Sequence, residues 1–354
     1  MFKAMLLLAG ALGVSLAFGQ THGIAVPVPH DPLELVTGEI QTLQGPDRDK
    51  ALDLLARSRR YYALRAERKG YRLKVSFHVD SGGATQYDGD WEMEETSFPQ
   101  MGLRWSAKTA GYSTTQITGN GPAFGEGAGD HFPIRLHAAR AALFGPLPTP
   151  IDRDLRSASV TYNDVSLTCV LSGGAEHVPT QAPGRRWDEN EDCIDPQSGQ
   201  VYVHSVVPGS YDLFDYQDAP KLGNRGLPRN VTVTEGGKTV MRLHVDSLTE
   251  IAEADAKFFA ATPEMTWGTT MASLQKMVLF PQKGSIPPDA TIRPVCVFGL
   301  VTADGKLVEL HSLQTGDPNS QAALDYAKTL TLPAPPGKSE HFVILIEKFV
   351  AGRK

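Results

Sequence analysis

Few side chains in this sequence can do chemistry, and the three cysteines are the most reactive of them. Cys169 and Cys193 flank the polar stretch "SGGAEHVPTQAPGRRWDENED". Two thiols so placed form a plausible disulfide in an oxidising compartment, and closing that loop would stabilise the fold by about 3 kcal/mol. Cys296, in "VCVFGLV", reads as a buried free thiol. At most one histidine lies near each cysteine, so a metal cluster is the weaker reading. The ten histidines are scattered; His78, His204 and His311 fall on strand-like segments with no second histidine close by. They could act as acid–base groups only where the fold brings them a partner. "YDGDWEMEETS" is rich in acids but lacks the spacing of a calcium loop, and its Trp91 and Met93 alternate as a strand would. "WDENEDC" places four acids in what reads as a wet loop. There is no G-x-S-x-G, H-E-x-x-H, S-x-x-K set or phosphate-cradling loop. The expectation is a protein without catalysis, cofactor or metal. The alternative is a secreted hydrolase whose site forms only in three dimensions.

These residues sit in a chain of 354, with 41% apolar and 21% charged residues, which is globular and long enough for two domains. The net charge of −6 and the absence of a long basic block exclude nucleic acid as a partner. Met1, Phe2 and Lys3 open an apolar run that ends in "AFG" near residue 19. This is the pattern of a secretory signal peptide cleaved before Gln20, and it places the mature chain in the periplasm. The run is shorter than the about 20 residues of a comfortable membrane span. An uncleaved inner-membrane anchor is the alternative.

Residues 20–46 read as a lead-in. "GPDRDKALDLLARSRRYYALRAERKG" then reads as a helix with Leu52, Leu55, Tyr62 and Ala66 on one face. "YRLKVSFHVD" alternates strictly, so one face is buried and the other wet. Further strand-like segments follow, with hairpin signals at Pro208-Gly209 and Gly236-Gly237, and one helix, "PIRLHAARAALFG", interrupts them. Successive hairpins make a curved antiparallel sheet, and a helix can fill its hollow side. The opening helix running into "YRLKVSF", the "GDWEMEE" and "MGLRW" pair, "CIDPQSGQVYVHS" and "GLPRNVTVTEGGKTVMRLHVDSL" carry a resemblance. Over residues 47–258 the chain resembles the LolA/LolB-like superfamily of periplasmic lipoprotein carriers. That resemblance implies a half-barrel whose hollow face takes an acyl chain or another lipid. Leu73, Val75, Phe77, Val79, Trp91 and Trp105 would help line it; the competing reading makes them plain core.

"TEIAEADAKFFAATPEM" reads as a closing helix, and residues 259–267 as a linker. Residues 268–354 read as β-β-α-β. The first strand is apolar on both faces, with Val295, Val297 and Val301 on one side and Cys296, Phe298 and Leu300 on the other. Asp304-Gly305 makes the turn, and Asp317-Pro318 starts a helix with Ala322, Ala323, Tyr326, Ala327 and Leu330 in one stripe. With "FPQKG" ahead of the first strand, Pro333-Ala334 after the helix and a last strand ending at Phe349, this segment resembles the C-terminal domain of TonB-family proteins. The resemblance implies docking by β-strand addition to an envelope protein such as an outer-membrane transporter. The candidate edge is the last strand, with Phe342, Val343, Ile344, Leu345, Ile346 and Phe349. Thr329-Leu330-Thr331-Leu332 stand where that family has an aromatic, and a folded unit replaces its long spacer, so coupling to the proton motive force is not implied. The expected class is α+β: a curved sheet with a packed helix, then a small β-β-α-β unit.

Overall fold

The structure, a computed structural model, describes residues 33–81, 87–119, 123–127, 133–147, 153–173, 181–186, 189–267, 276–280, 291–302, 304–313, 319–332 and 341–351. The signal peptide, "PQKG", Asp317-Pro318 and Pro333-Ala334 lie outside them.

A short strand β1 (Glu39–Gln41) precedes helix α1 (Gly45–Tyr62), which starts with Pro46 in its first turn and carries Arg59 and Arg60 in its last. Its buried side is Ala51, Leu54, Leu55, Ser58 and Tyr62. The helix ends before Ala66, which is exposed, so the expected face is a turn too long. Then come β2 (Gly70–Val79), β3 (Gly89–Phe98), β4 (Gly102–Thr109), β5 (Tyr112–Thr118) and β6 (Ala123–Gly127). Helix α2 (Ile134–Phe144) follows, then β7 (Asp154–Tyr162), β8 (Val165–Gly173), β9 (Gln181–Pro183) and β10 (Asn190–Ile194). β11 (Val201–Val207), β12 (Ser210–Asp215), β13 (Lys221–Leu222), β14 (Arg225–Gly226), β15 (Asn230–Glu235) and β16 (Lys238–Ile251) complete the run.

Most of these strands join one 13-stranded antiparallel sheet, ordered β17-β6-β5-β4-β3-β2-β16-β15-β12-β11-β10-β8-β7, in which β17 is Thr266–Trp267. The long strand β16 closes the two halves by pairing with β2 from Met241 opposite Val79 to Ile251 opposite Gly70. Two expectations fail here. Thr249, Glu250 and Ile251 are strand, not helix, because β2 offers them a ladder. The supposed linker is part of the fold: Phe259 and Met265 are buried, and Thr266 and Trp267 pair with β6. The lead-in is likewise tied down, with β1 paired to β9 and Val36 and Ile40 buried.

The remaining strands, β18 (Lys276–Phe280), β19 (Thr291–Val301), β20 (Leu307–Ser312) and β21 (His341–Ala351), form a second sheet with helix α3 (Ser320–Lys328). Its order is β18-β21-β19-β20, one strand more than expected. Gly305, at φ 83°, supplies the expected left-handed turn. α3 buries Ala323 and Ala327 against Val295, Val297 and Val301, while Tyr326 of the expected stripe stays 44% exposed. On the other side Cys296, Phe298, Leu300 and Leu313 pack against Ile134 and Val207 of the large sheet's body. The two-sided apolar character of β19 thus has a reason on each face.

The expected edge strand is a central one. β21 runs parallel to β18 and antiparallel to β19, with Val343 opposite both Lys276 and Gly299, and Leu345 opposite both Val278 and Val297. Phe342, Ile344 and Ile346 pair with Leu300, Phe298 and Cys296, and Phe349 pairs with Arg293. From Val343 to Glu347, where both neighbours pair with it, the backbone cannot receive a further strand.

Candidate functional site

The side chains expected to line a cavity are core. Leu73, Val75, Phe77, Val79, Trp91 and Trp105 are 0–4% exposed and share one cluster with Leu136, Ala139 and Leu143 of α2. Phe77 stacks on Trp91 at 5.3 Å, and the Arg140 guanidinium of α2 lies 3.9 Å from the Trp105 ring. Arg140 also donates to Glu95 Oε2 at 3.1 Å, while Tyr71 donates to Oε1 at 2.7 Å. Helix α2 thus packs against this face of the sheet.

Cys169 and Cys193 are bridged, and they stand opposite each other on β8 and β10. Cys296 is the buried free thiol. "WDENEDC" departs from its expected wetness: Glu189 and Glu191 are 0% exposed and Asp192 1%. Their partners are the two arginines just before them and Arg156 of β7. Arg156 donates to both oxygens of Glu189 at 2.8 and 2.6 Å, and Arg186 Nε lies 2.9 Å from Oε1. Arg185 Nη1 is 3.6 Å from Glu34 and 3.6 Å from Glu191. Burial pushes the Glu191 carboxyl well above the usual range, against the pull of Arg185, and its Oε1 lies 3.3 Å from Cys193 Sγ. Arg185 and Arg186 stand just before the acids in sequence, but Arg156 and Glu34, which complete the network, come from far along the chain.

The three histidines each meet an acid. His78 Nδ1 lies 2.7 Å from Asp90 on the wet face, beside a shallow groove of about 540 Å³ that also meets Arg242 and His244. His204 Nδ1 lies 2.6 Å from Asp192, inside a row Asp192, His204, Asp212 across β10, β11 and β12. Burial works to lower the His204 pKa, but the Asp192 carboxylate overrides it and raises it; burial pushes Asp212 up to about 6. His311 Nε2 lies 2.8 Å from Glu235. Among the described residues none of the three is hydrogen-bonded to a hydroxyl or thiol, so no nucleophile–base pair is assembled.

A surface suited to binding lies on the outer side of the large sheet. The lead-in covers its lower part, where Val36 and Ile40 pack with Leu167, Leu171 and the disulfide. Above it Ala158, Val160, Tyr162, Val165, Tyr202 and Leu213 are only partly buried. β7 ends the sheet order, and among the described residues only its lower end is capped, where Thr42 bridges Arg156 and Leu43 N–H donates to Leu155 O at 2.6 Å. The open part, Ser157, Ala158, Ser159, Val160, Thr161 and Tyr162, has no charge and no proline. At its upper end the patch meets a groove of about 590 Å³ with Tyr202 and Tyr216 in its wall. The sequence holds the signal for the patch, since Val160 and Tyr162 alternate with Ser159 and Thr161, but not for which edge stays unpaired.

No protein-family model matches the sequence, and no curated protein matches it. Solved structures share its course loosely. A putative outer membrane lipoprotein-sorting protein domain from Vibrio parahaemolyticus is 8% identical over 59% of this chain and 95% of its own, with a TM-score of 0.36. A LolA superfamily protein from Nitrosomonas europaea is 9% identical over 60% and 97%, at 0.34. A DUF1329 family protein from Desulfovibrio piger is 7% identical over 61% and 98%, at 0.39. The TonB resemblance of the last segment finds no support among these, and at such scores no residue of this chain inherits a role.

Proposed function

We propose that the protein is an exported binding protein of the cell envelope, without catalysis, that captures an extended segment of a protein partner along β7. The observation that carries this reading is the edge over residues 157–162, open among the described residues, uncharged, free of proline and flanked by the partly buried side chains of Val160 and Tyr162. An unpaired ladder of N–H and C=O groups supplies affinity, and the neighbouring apolar side chains select the partner's alternate residues. The N-terminal pattern supports export, and the bridge between Cys169 and Cys193 suits an oxidising compartment. The docking mode implied by the TonB resemblance survives in this reading, moved from β21, whose two sides are taken, to the edge of the large sheet.

The test is site-specific photo-crosslinking in the native envelope. A photoreactive side chain at the exposed Ser159 should trap a discrete partner protein, and the same group at exposed Lys238 should not. Thr161→Pro, which removes an edge N–H without touching the core, should abolish the adduct. Absence of an adduct at Ser159, or one indifferent to the proline, would sink the proposal.

A further inference from the structure

The groove above the β7 patch has a chemistry of its own. Its volume of about 590 Å³ lies within the range of small-molecule sites, about 300–1,000 Å³. Two aromatic rings shape it: Tyr202 and Tyr216 tilt at 52° with centroids 5.4 Å apart. Tyr216 is locked from behind. Its hydroxyl donates to Val201 O at 2.7 Å and contacts the Tyr62 hydroxyl, and the Tyr61 ring meets it edge-on at 6.2 Å. With its polar tip turned inward, Tyr216 offers the groove a ring face and little else. The rim is polar and of mixed sign. Asp215 is oriented by the Gln217 N–H at 2.9 Å and by Asn230 Nδ2 at 2.8 Å. The groove also meets Asn163, presented by a left-handed turn at φ 47°, and exposed Lys221, neither with a side-chain partner among the described residues.

From this geometry we infer that the groove binds a short neutral oligosaccharide. A pyranose has an apolar C–H face, which suits the negative face of a fixed aromatic ring. Its hydroxyls each donate and accept, which suits a rim that mixes carboxylate, amide and ammonium. An acyl chain would leave that rim unpaired, and a phosphorylated ligand would meet Asp215. The pre-set rings and the turn-held Asn163 limit the ordering cost of binding. This site adjoins the β7 patch, with Tyr202 common to both, but sugar binding does not depend on strand capture.

Maltotriose and triacetylchitotriose, titrated into the purified full chain by calorimetry and saturation-transfer NMR, test it. At least one should bind in the millimolar range or tighter, with saturation transferred to sugar C–H protons. Tyr202→Phe, which keeps the ring, should leave the Kd unchanged, whereas Tyr202→Ala should weaken it at least about tenfold. Lys221→Ala, at an exposed position that the fold does not need, should weaken it severalfold and serves if Tyr202→Ala fails to fold. Failure of both sugars to bind, or binding indifferent to Tyr202→Ala and Lys221→Ala alike, overturns the inference.

Discussion

Glu191 is where burial and charge conflict most directly. It is 0% exposed, beside a disulfide sulfur, and its nearest cation, Arg185, stands 3.6 Å away while also serving Glu34. Burial therefore raises its pKa well above 4.5, the value it returns to on unfolding. Between 4.5 and the raised value the folded chain keeps a proton that the unfolded chain has lost, so stability falls as pH rises through that window. Asp212 acts with the same sign between 3.8 and about 6. Glu191→Gln, which mimics the protonated group, should flatten the decline of the urea midpoint between acid and neutral pH and raise stability at the neutral end. An unchanged slope would mean that Glu191 is ionised in the fold. "WDENEDC" reads as a solvated loop because, although Arg185 and Arg186 directly precede it, the fold must still bring Arg156 and Glu34 beside it.

The disulfide belongs to the scale of elements, since it clamps β8 to β10 at directly opposed residues. Closing a span of 24 residues restricts the unfolded chain, and its loss should cost about 3 kcal/mol. Urea titrations with and without reductant, checked against a Cys169→Ala, Cys193→Ala pair, measure this directly; equal midpoints would show that the ladder alone holds the two strands. Elements with a strict pattern were legible from sequence. β2 keeps the expected alternation, and the inner positions Leu73, Val75, Phe77 and Val79 are all buried. The end of β16 was not legible, because "TEIAEADAK" has the composition of a helix, yet its first three residues, Thr249 to Ile251, become strand through the ladder that Gly70 to Arg72 offer them. The supposed linker hid for a similar reason: Arg104 of β4 holds the segment, donating to Phe258 O at 3.0 Å and stacking 4.8 Å from its ring. For the candidate surface, the alternation of Val160 and Tyr162 was readable, but the vacant side of β7 follows from strand order alone, which no local pattern encodes.

Across the whole molecule the two sheets meet in a small apolar seam, Phe298 and Leu300 against Ile134 and Val207. Polar contacts fix its angle. Glu309, held at φ 52° by an irregularity in the β19–β20 register, accepts the N–H of Ile134 at 3.1 Å. Next to it Arg135 donates to both oxygens of Glu235 at 2.6 and 2.8 Å, and His311 closes on the same carboxylate. A left-handed glutamate costs about 1–2 kcal/mol, a strain the seam must offset. Phe298→Ala should remove about 3–5 kcal/mol of packing there and split one calorimetric transition into two, with the terminal sheet melting first. A single, merely lower transition would show that the sheets cannot come apart. The placement of β21 reaches further still. Its neighbours β18 and β19 both precede it in the chain, and each must wait for it before it has a full complement of partners. Synthesis runs from the N-terminus, so the large sheet can assemble while the terminal one stands open at its middle. Until residues 341–351 have been made, the strands on either side remain adhesive, and it is in that interval that a chaperone would matter most to this protein.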